Sequence, residues 1–155
     1  MANILIVDDE LDILETLPEV LAKWQHHTIT AKNGEEALSL FQKYQVDFVI
    51  SDIKMPKMDG LELLQKIKEL DKNVMVIFLT GYPSLDSAIS AMRAGAYDYL
   101  VKPVNMDELK LRIERGLERK EHIKSIPLLR GLNWALLVSI PLWLILGIIL
   151  AKLLK

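Results

Sequence analysis

The sequence predicts an α/β fold: a doubly wound, five-stranded parallel sheet in the order 2-1-3-4-5, followed by one C-terminal transmembrane helix. Three observations lead there. Short apolar runs alternate strictly with amphipathic stretches over residues 1–124, and five such pairs imply a parallel sheet covered on both faces. Polar and glycine residues gather where the apolar runs stop, as expected at the carboxyl edge of such a sheet, where the topological switch point makes a binding crevice. A separate run of twenty uncharged residues, 132–151, lies beyond the last amphipathic stretch. Crossovers between the strands should be right-handed.

The elements follow in order. Ile4-Leu5-Ile6-Val7 reads as a buried strand. Leu11, Leu14, Leu17, Leu21 and Trp24 share helical spacing, with Pro18 expected to kink that helix. Thr28–Ala31 is the second strand. Asn33 can cap the next helix, with Glu36 three residues on, and that helix ends near Tyr44. Phe48–Ser51 is the third strand. Asp59 with Glu62 forms a second capping pair, for a helix with Leu61, Leu64 and Ile67 facing inward. Val74–Leu79 is the fourth strand. Ser84 caps a helix that runs to Ala94 and stops at Gly95. Tyr97–Val101 is the fifth strand, and Asn105 with Glu108 opens a helix to about Lys124.

Composition narrows the classes. The chain is 51% hydrophobic, enough for a full core, and has no cysteine, which excludes disulfides and thiolate metal sites. No basic stretch leads into a long apolar one at the N-terminus, so no signal peptide is expected. Residues 125–155 hold Arg130, Lys152 and Lys155 and no acid, so residues 1–124 carry 16 basic and 21 acidic residues, about −5. An acidic body suits nucleic acid poorly, and no nucleic-acid partner is expected.

The chemistry gathers at one edge. Strand one ends in Asp8-Asp9, strand three in Asp52, strand four in Thr80-Gly81 and strand five in Lys102-Pro103. Three carboxylates in one pocket repel one another, and a hard cation removes the conflict. Mg²⁺ suits such a site, because it takes a few carboxylate oxygens, keeps several waters and bridges to phosphate. Asp52, leaving the central strand, is placed to be the nucleophile. Lys102 can pair with it as a point charge, Thr80 can donate to a phosphoryl oxygen, and Gly81 leaves room above. Read singly, Asp9 could be a helix cap, Asp52 a loop acid and Tyr99 a surface aromatic. The pair His26-His27 reads as a polar turn, since no further ligand accompanies it.

Four segments carry a resemblance: Ile4-Leu5-Ile6-Val7-Asp8-Asp9-Glu10, Asp52-Ile53-Lys54-Met55-Pro56-Lys57-Met58-Asp59-Gly60, Leu79-Thr80-Gly81 and Tyr97-Asp98-Tyr99-Leu100-Val101-Lys102-Pro103. In this order, each at a strand end, they resemble the response-regulator receiver family of two-component signalling, over about four fifths of the chain. The resemblance implies a flavodoxin-like fold. It implies that Asp9 binds Mg²⁺ directly with Asp8 assisting, and that Asp52 binds Mg²⁺ and accepts phosphate from a phosphohistidine on a sensor histidine kinase or phosphotransfer protein. It implies that the backbone carbonyl of Lys54 completes the metal ligands and that Thr80 and Lys102 grip the phosphoryl group. Tyr99 would be the switch aromatic, and the Lys102–Pro103 bond would be cis. Such a domain catalyses only its own phosphorylation and dephosphorylation. The segment from Thr80 to Lys102 looks most like receivers that precede ATPase-type transcription activators.

The expected organisation is a receiver domain over 1–124, a juxtamembrane linker over 125–131 that opens on Ser125-Ile126-Pro127, and a transmembrane helix over 132–151. Twenty residues at 1.5 Å each span about 30 Å, the thickness of a bilayer core. Arg112, Arg115, Arg119, Lys120, Lys124 and Arg130 precede the span and two lysines follow it, which puts the receiver in the cytoplasm of a single-pass cell-membrane protein. Ala135, Ser139, Gly147 and Ala151 fall at four-residue multiples on one face and permit a homodimer. The alternatives are a tail that packs or oligomerises without a membrane, and a scaffold that works without phosphorylation.

Overall fold

The structure, a computed structural model, describes residues 1–123. Five parallel strands, β1 (Asn3–Val7), β2 (His27–Ala31), β3 (Phe48–Ser51), β4 (Met75–Thr80) and β5 (Asp98–Val101), stand in the order β2-β1-β3-β4-β5. Between them run α1 (Leu11–Lys23), α2 (Gly34–Lys43), α3 (Gly60–Leu70) and α4 (Leu85–Arg93), and α5 occupies 106–123. Met1–Lys120 form one compact unit. The predicted linker and span at 125–151 lie outside the described residues. Among the described residues no helix is long and apolar enough to cross a membrane.

Strands β1, β3 and β4 are apolar on both faces because helices cover both. On one face Leu5, Val7, Val49, Val76 and Phe78 pack with Ala37, Leu63, Leu64, Ile67 and Ala91 from α2, α3 and α4. The alternate residues Ile4, Ile6, Phe48, Ile50 and Ile77 are equally buried on the opposite face. There α5 comes close. A Cβ on Gly116 would lie 2.5 Å from the Phe48 ring, so only glycine admits that approach. Leu109 and Ile113 of α5 and Leu17 and Leu21 of α1 are buried with it.

The caps behave much as their chemistry requires. Asn33, Asp59 and Ser84 each accept from the amide three residues on. Glu36 reaches back to the Lys32 amide rather than to Asn33. Glu62 and Glu108 turn instead to Lys66 and Arg112, whose cations compete for the same carboxylates. Gly95, at φ 93°, closes α4 with the two reverse bonds Gly95 N–H to Met92 and Ala96 N–H to Ala91. The first helix differs most from expectation. It runs on through Pro18, and its buried stripe is narrower than the spacing suggests: Leu17 and Leu21 are buried while Leu11 is 58% exposed.

His26, just past α1, is only half surface. Its amide bonds to Leu21, while its Nδ1 is buried without a partner among the described residues. Burial lowers its pKa from the ordinary 6.5, the N-terminal ammonium pushes the same way, and Glu114 opposes. The folded chain therefore binds fewer protons than the unfolded chain as pH falls through this range. Stability conferred by neutral His26 is present above 6.5 and is lost below it. Urea midpoints at about pH 5.5 and about pH 7.5 should differ more for the wild type than for His26→Asn. Equal differences would assign the pH dependence elsewhere.

Candidate functional site

The register of the sheet makes the site. Val7 pairs with Ser51, Ser51 with Phe78, and Thr80 with Val101, so the ends of β1, β3, β4 and β5 lie side by side. The next residue of each strand is delivered to one edge: Asp8, Asp52, Gly81 and Lys102. The edge is tied by backbone bonds from Asp8 to Ala31, from Asp52 to Val7 and from Lys102 to Thr80.

Asp52 is 4% exposed and Asp8 2%. One oxygen of Asp52, Oδ1, accepts from the Ile53 amide at 2.5 Å and the Lys54 amide at 3.4 Å. That fixes the carboxylate and leaves Oδ2 facing Lys102, whose Nζ lies 3.7 Å away. The Lys102 ammonium donates to Asp8 Oδ2 at 2.8 Å and to Glu10 Oε1 at 2.7 Å. The Lys102–Pro103 peptide is cis. Thr80 is wholly buried, and its hydroxyl oxygen accepts from the Tyr82 amide at 3.2 Å. Above Gly81 the space is open, since an added Cβ would meet only Lys102 Cδ, at 3.9 Å.

The electrostatics point one way. Burial pushes the Asp8 carboxyl above the ordinary carboxylate range, and the charge of Asp52 adds to this. Its bonds from Lys102 and the Glu10 amide oppose the rise without cancelling it. For Lys102, burial works against the ammonium, but the bonds to Asp8 and Glu10 and the charges of Asp8 and Asp52 outweigh it and raise its pKa. Both groups hold their protons more tightly, Asp8 chiefly because it is buried and Lys102 because its ammonium faces three carboxylates. The oxygens of Asp8, Glu10 and Asp52 lie within 4.8 Å of one another. A divalent cation fits that donor set, being hard, oxygen-seeking and able to offset the excess negative charge.

The residues read from sequence fall in distinct places. Asp8, Asp52 and Lys102 converge. Asp9 is exposed and stands outside the group of three acids. It does not cap α1 either, because the cap position falls to Glu10, which makes no side-chain cap bond. Glu10 joins Asp8 and Asp52 at the site. Lys54 is exposed, with its ammonium 5.0 Å from the centre of the Tyr82 ring. Tyr99 is half-buried on β5, and its hydroxyl lies 2.9 Å from Ser87 Oγ in the first turn of α4. Sequence reasoning assigned no role to Glu10 or Ser87. The only signals were a third acid after Asp8-Asp9, and a hydroxyl three residues past the Ser84 cap.

With this geometry in view, the comparisons are plain. Residues 4–114 match the family model of the response regulator receiver domain. The chain belongs to that family. It is 38% identical over 120 residues to sporulation initiation phosphotransferase F of Bacillus subtilis, covering 77% of this chain and 97% of that protein. It is 39% identical over 137 residues to the regulatory protein AtoC of Escherichia coli, covering 88% of this chain but only 29% of that protein's length. Among solved structures it is similar to the response regulator TrrA of Thermotoga maritima in complex with Mg(2+)-BeF. That match has 43% identity and a TM-score of 0.70, over 76% of this chain and all of the other. The function that follows at this level is that of a two-component receiver.

Proposed function

We propose that Asp52 accepts a phosphoryl group from a phosphohistidine on a sensor kinase or phosphotransfer protein, in a receiver held at the cytoplasmic face of the cell membrane by residues 132–151. The observation that carries the first part is the convergence of Lys102 on Asp8, Glu10 and Asp52. A scaffold has no physical need for three acids gathered around a partly buried lysine.

The step balances as a displacement. A carboxylate oxygen of Asp52 forms a bond to phosphorus, the phosphorus–nitrogen bond breaks, and its electron pair returns to the imidazole. The chain's own contribution is position and charge. Amides of Ile53 and Lys54 hold the carboxylate in one orientation. Lys102 and Thr80 would grip the transferred oxygens. Asp8, Asp9, Asp52 and the Lys54 carbonyl would hold Mg²⁺, which when bound neutralises developing charge. Water then attacks phosphorus on the same residues, the bond to the Asp52 oxygen breaks, and inorganic phosphate leaves with the carboxylate restored.

Output would run through Tyr99 and the face it shares with α4 and β5. Leu85, Met92 and Val101 are exposed there, an apolar surface suited to a protein partner. The new phosphoryl charge on Lys102 and Thr80 would bias that surface, and the tether would confine its contacts to the membrane. Pairing through the small residues of 132–151 would make the protein a homodimer. Support for the tether is the uncharged twenty-residue run and the basic residues ahead of it.

Two measurements test this. Incubated with Mg²⁺ and a small-molecule phosphoryl donor, the protein should gain one phosphoryl group, located by peptide mass mapping at Asp52. Label elsewhere, or none, sinks the acceptor assignment. After alkaline extraction the full chain should stay with membranes, while a chain ending at Lys124 should be released. Release of both would leave the tail a packing or oligomerisation segment.

A further inference from the structure

Glu10 has no part in the scheme above, yet it makes the shortest ion pair of Lys102, 2.7 Å against 2.8 Å to Asp8. An ammonium has three N–H donors. Two of them go to Glu10 and Asp8. The remaining partner, Asp52, lies 3.7 Å off, beyond hydrogen-bond range. The ammonium thus stands back from the acceptor. Two features let Glu10 hold it there. Its backbone is pinned by the bond from its amide to Asp8 Oδ1 at 2.9 Å. Its carboxylate is free for Lys102, because it makes no cap bond at the start of α1. Asp8 cannot serve alone, since its charge would be shared with a cation.

We propose that Glu10 is a positioning residue: it holds the Lys102 ammonium off Asp52, so the acceptor oxygen stays open and one N–H stays available for an incoming phosphoryl oxygen. This rests on Asp52 being the acceptor. Without Glu10, the ammonium is drawn onto Asp52 and pairs with the nucleophile it should serve. The pocket is then less ready, though every other residue is intact.

The test is a double-mutant cycle on beryllofluoride binding, read by titration calorimetry on the full chain in detergent at saturating Mg²⁺. Glu10→Gln should weaken binding about threefold, the scale of one partly exposed charge pair. In a Lys102→Met background the same change should do nothing further, because the effect runs through the ammonium. Equal weakening in both backgrounds overturns the proposal, since Glu10 would then act on the cation or the analogue directly. No weakening in the single variant overturns it too. Mg²⁺ affinity that falls on Glu10→Gln even with Met at position 102 would make Glu10 a metal ligand instead. If the wild type does not bind, or binds equally after Asp52→Asn, the acceptor assignment fails and takes this inference with it.

Discussion

Asp52→Asn is expected to abolish phosphoryl uptake completely while leaving the domain folded and within about 1 kcal/mol of wild-type stability. The two halves of that result have separate causes. The amide oxygen of asparagine can still accept from the Ile53 and Lys54 amides, so the local turn keeps its bonds. Removing the charge forfeits an attraction to Lys102 at 3.7 Å, but it also relieves repulsion from Asp8 and Glu10, whose oxygens lie within 4.8 Å. These terms oppose each other, which keeps the net change small. The chemistry has no such compensation, because an amide oxygen is a poor nucleophile and lacks the charge that holds a cation. Phosphopeptide mapping and urea unfolding on one preparation would check both halves. A variant that still takes up label would transfer the acceptor role to another acid. One that unfolds would show Asp52 to be chiefly structural.

Most of the fold was legible because its signals are local. Short apolar runs such as Ile4–Val7 and Phe48–Ile50, each followed by an amphipathic helix, admit little besides a parallel sheet covered on both faces. The site was legible at one remove. Once the strands were placed, Asp8, Asp52, Thr80 and Lys102 had to share an edge, and the register delivers them there. What sequence could not supply was the choice among neighbours. Asp8, Asp9 and Glu10 are consecutive acids, and which of them turns inward depends on where the Lys102 side chain ends, 92 residues from Glu10. The side-chain partner of Tyr99 was hidden for the same reason. Ser87 reads as a cap residue of α4, and only the packing of α4 on β5 brings its hydroxyl to 2.9 Å from the tyrosine. The narrowing of the α1 stripe is a third case. Leu11 has the right spacing for the core, but it is the first residue of α1 and is left exposed there.

Lys102 is the centre of this arrangement, and on the Asp52 side the loop is packed against a glycine. Gly60 opens α3, and its amide bonds to the Ile53 carbonyl at 2.8 Å, folding the loop after β3 back against the strand end. A Cβ at this position would drive into the backbone carbonyl of Asp52. It would also lie 2.8 Å from the Phe78 ring and 3.0 Å from Ile53 Cα. None of these neighbours yields easily. The Asp52 carbonyl accepts from the Ser51 hydroxyl at 2.7 Å, and Phe78 is fully buried in β4. Gly60→Ala should therefore cost about 2–3 kcal/mol, the scale of an overpacked core. It should also lower phosphoryl uptake by at least about tenfold, because the clash falls on the residue whose side chain must be placed to within an ångström. Gly81→Ala is the matched control for stability, since its Cβ would meet only Lys102 Cδ at 3.9 Å and should leave the urea midpoint nearly unchanged. If the two variants unfold at the same urea concentration, the tight approach of α3 to the end of β3 is not what holds the Asp52 loop.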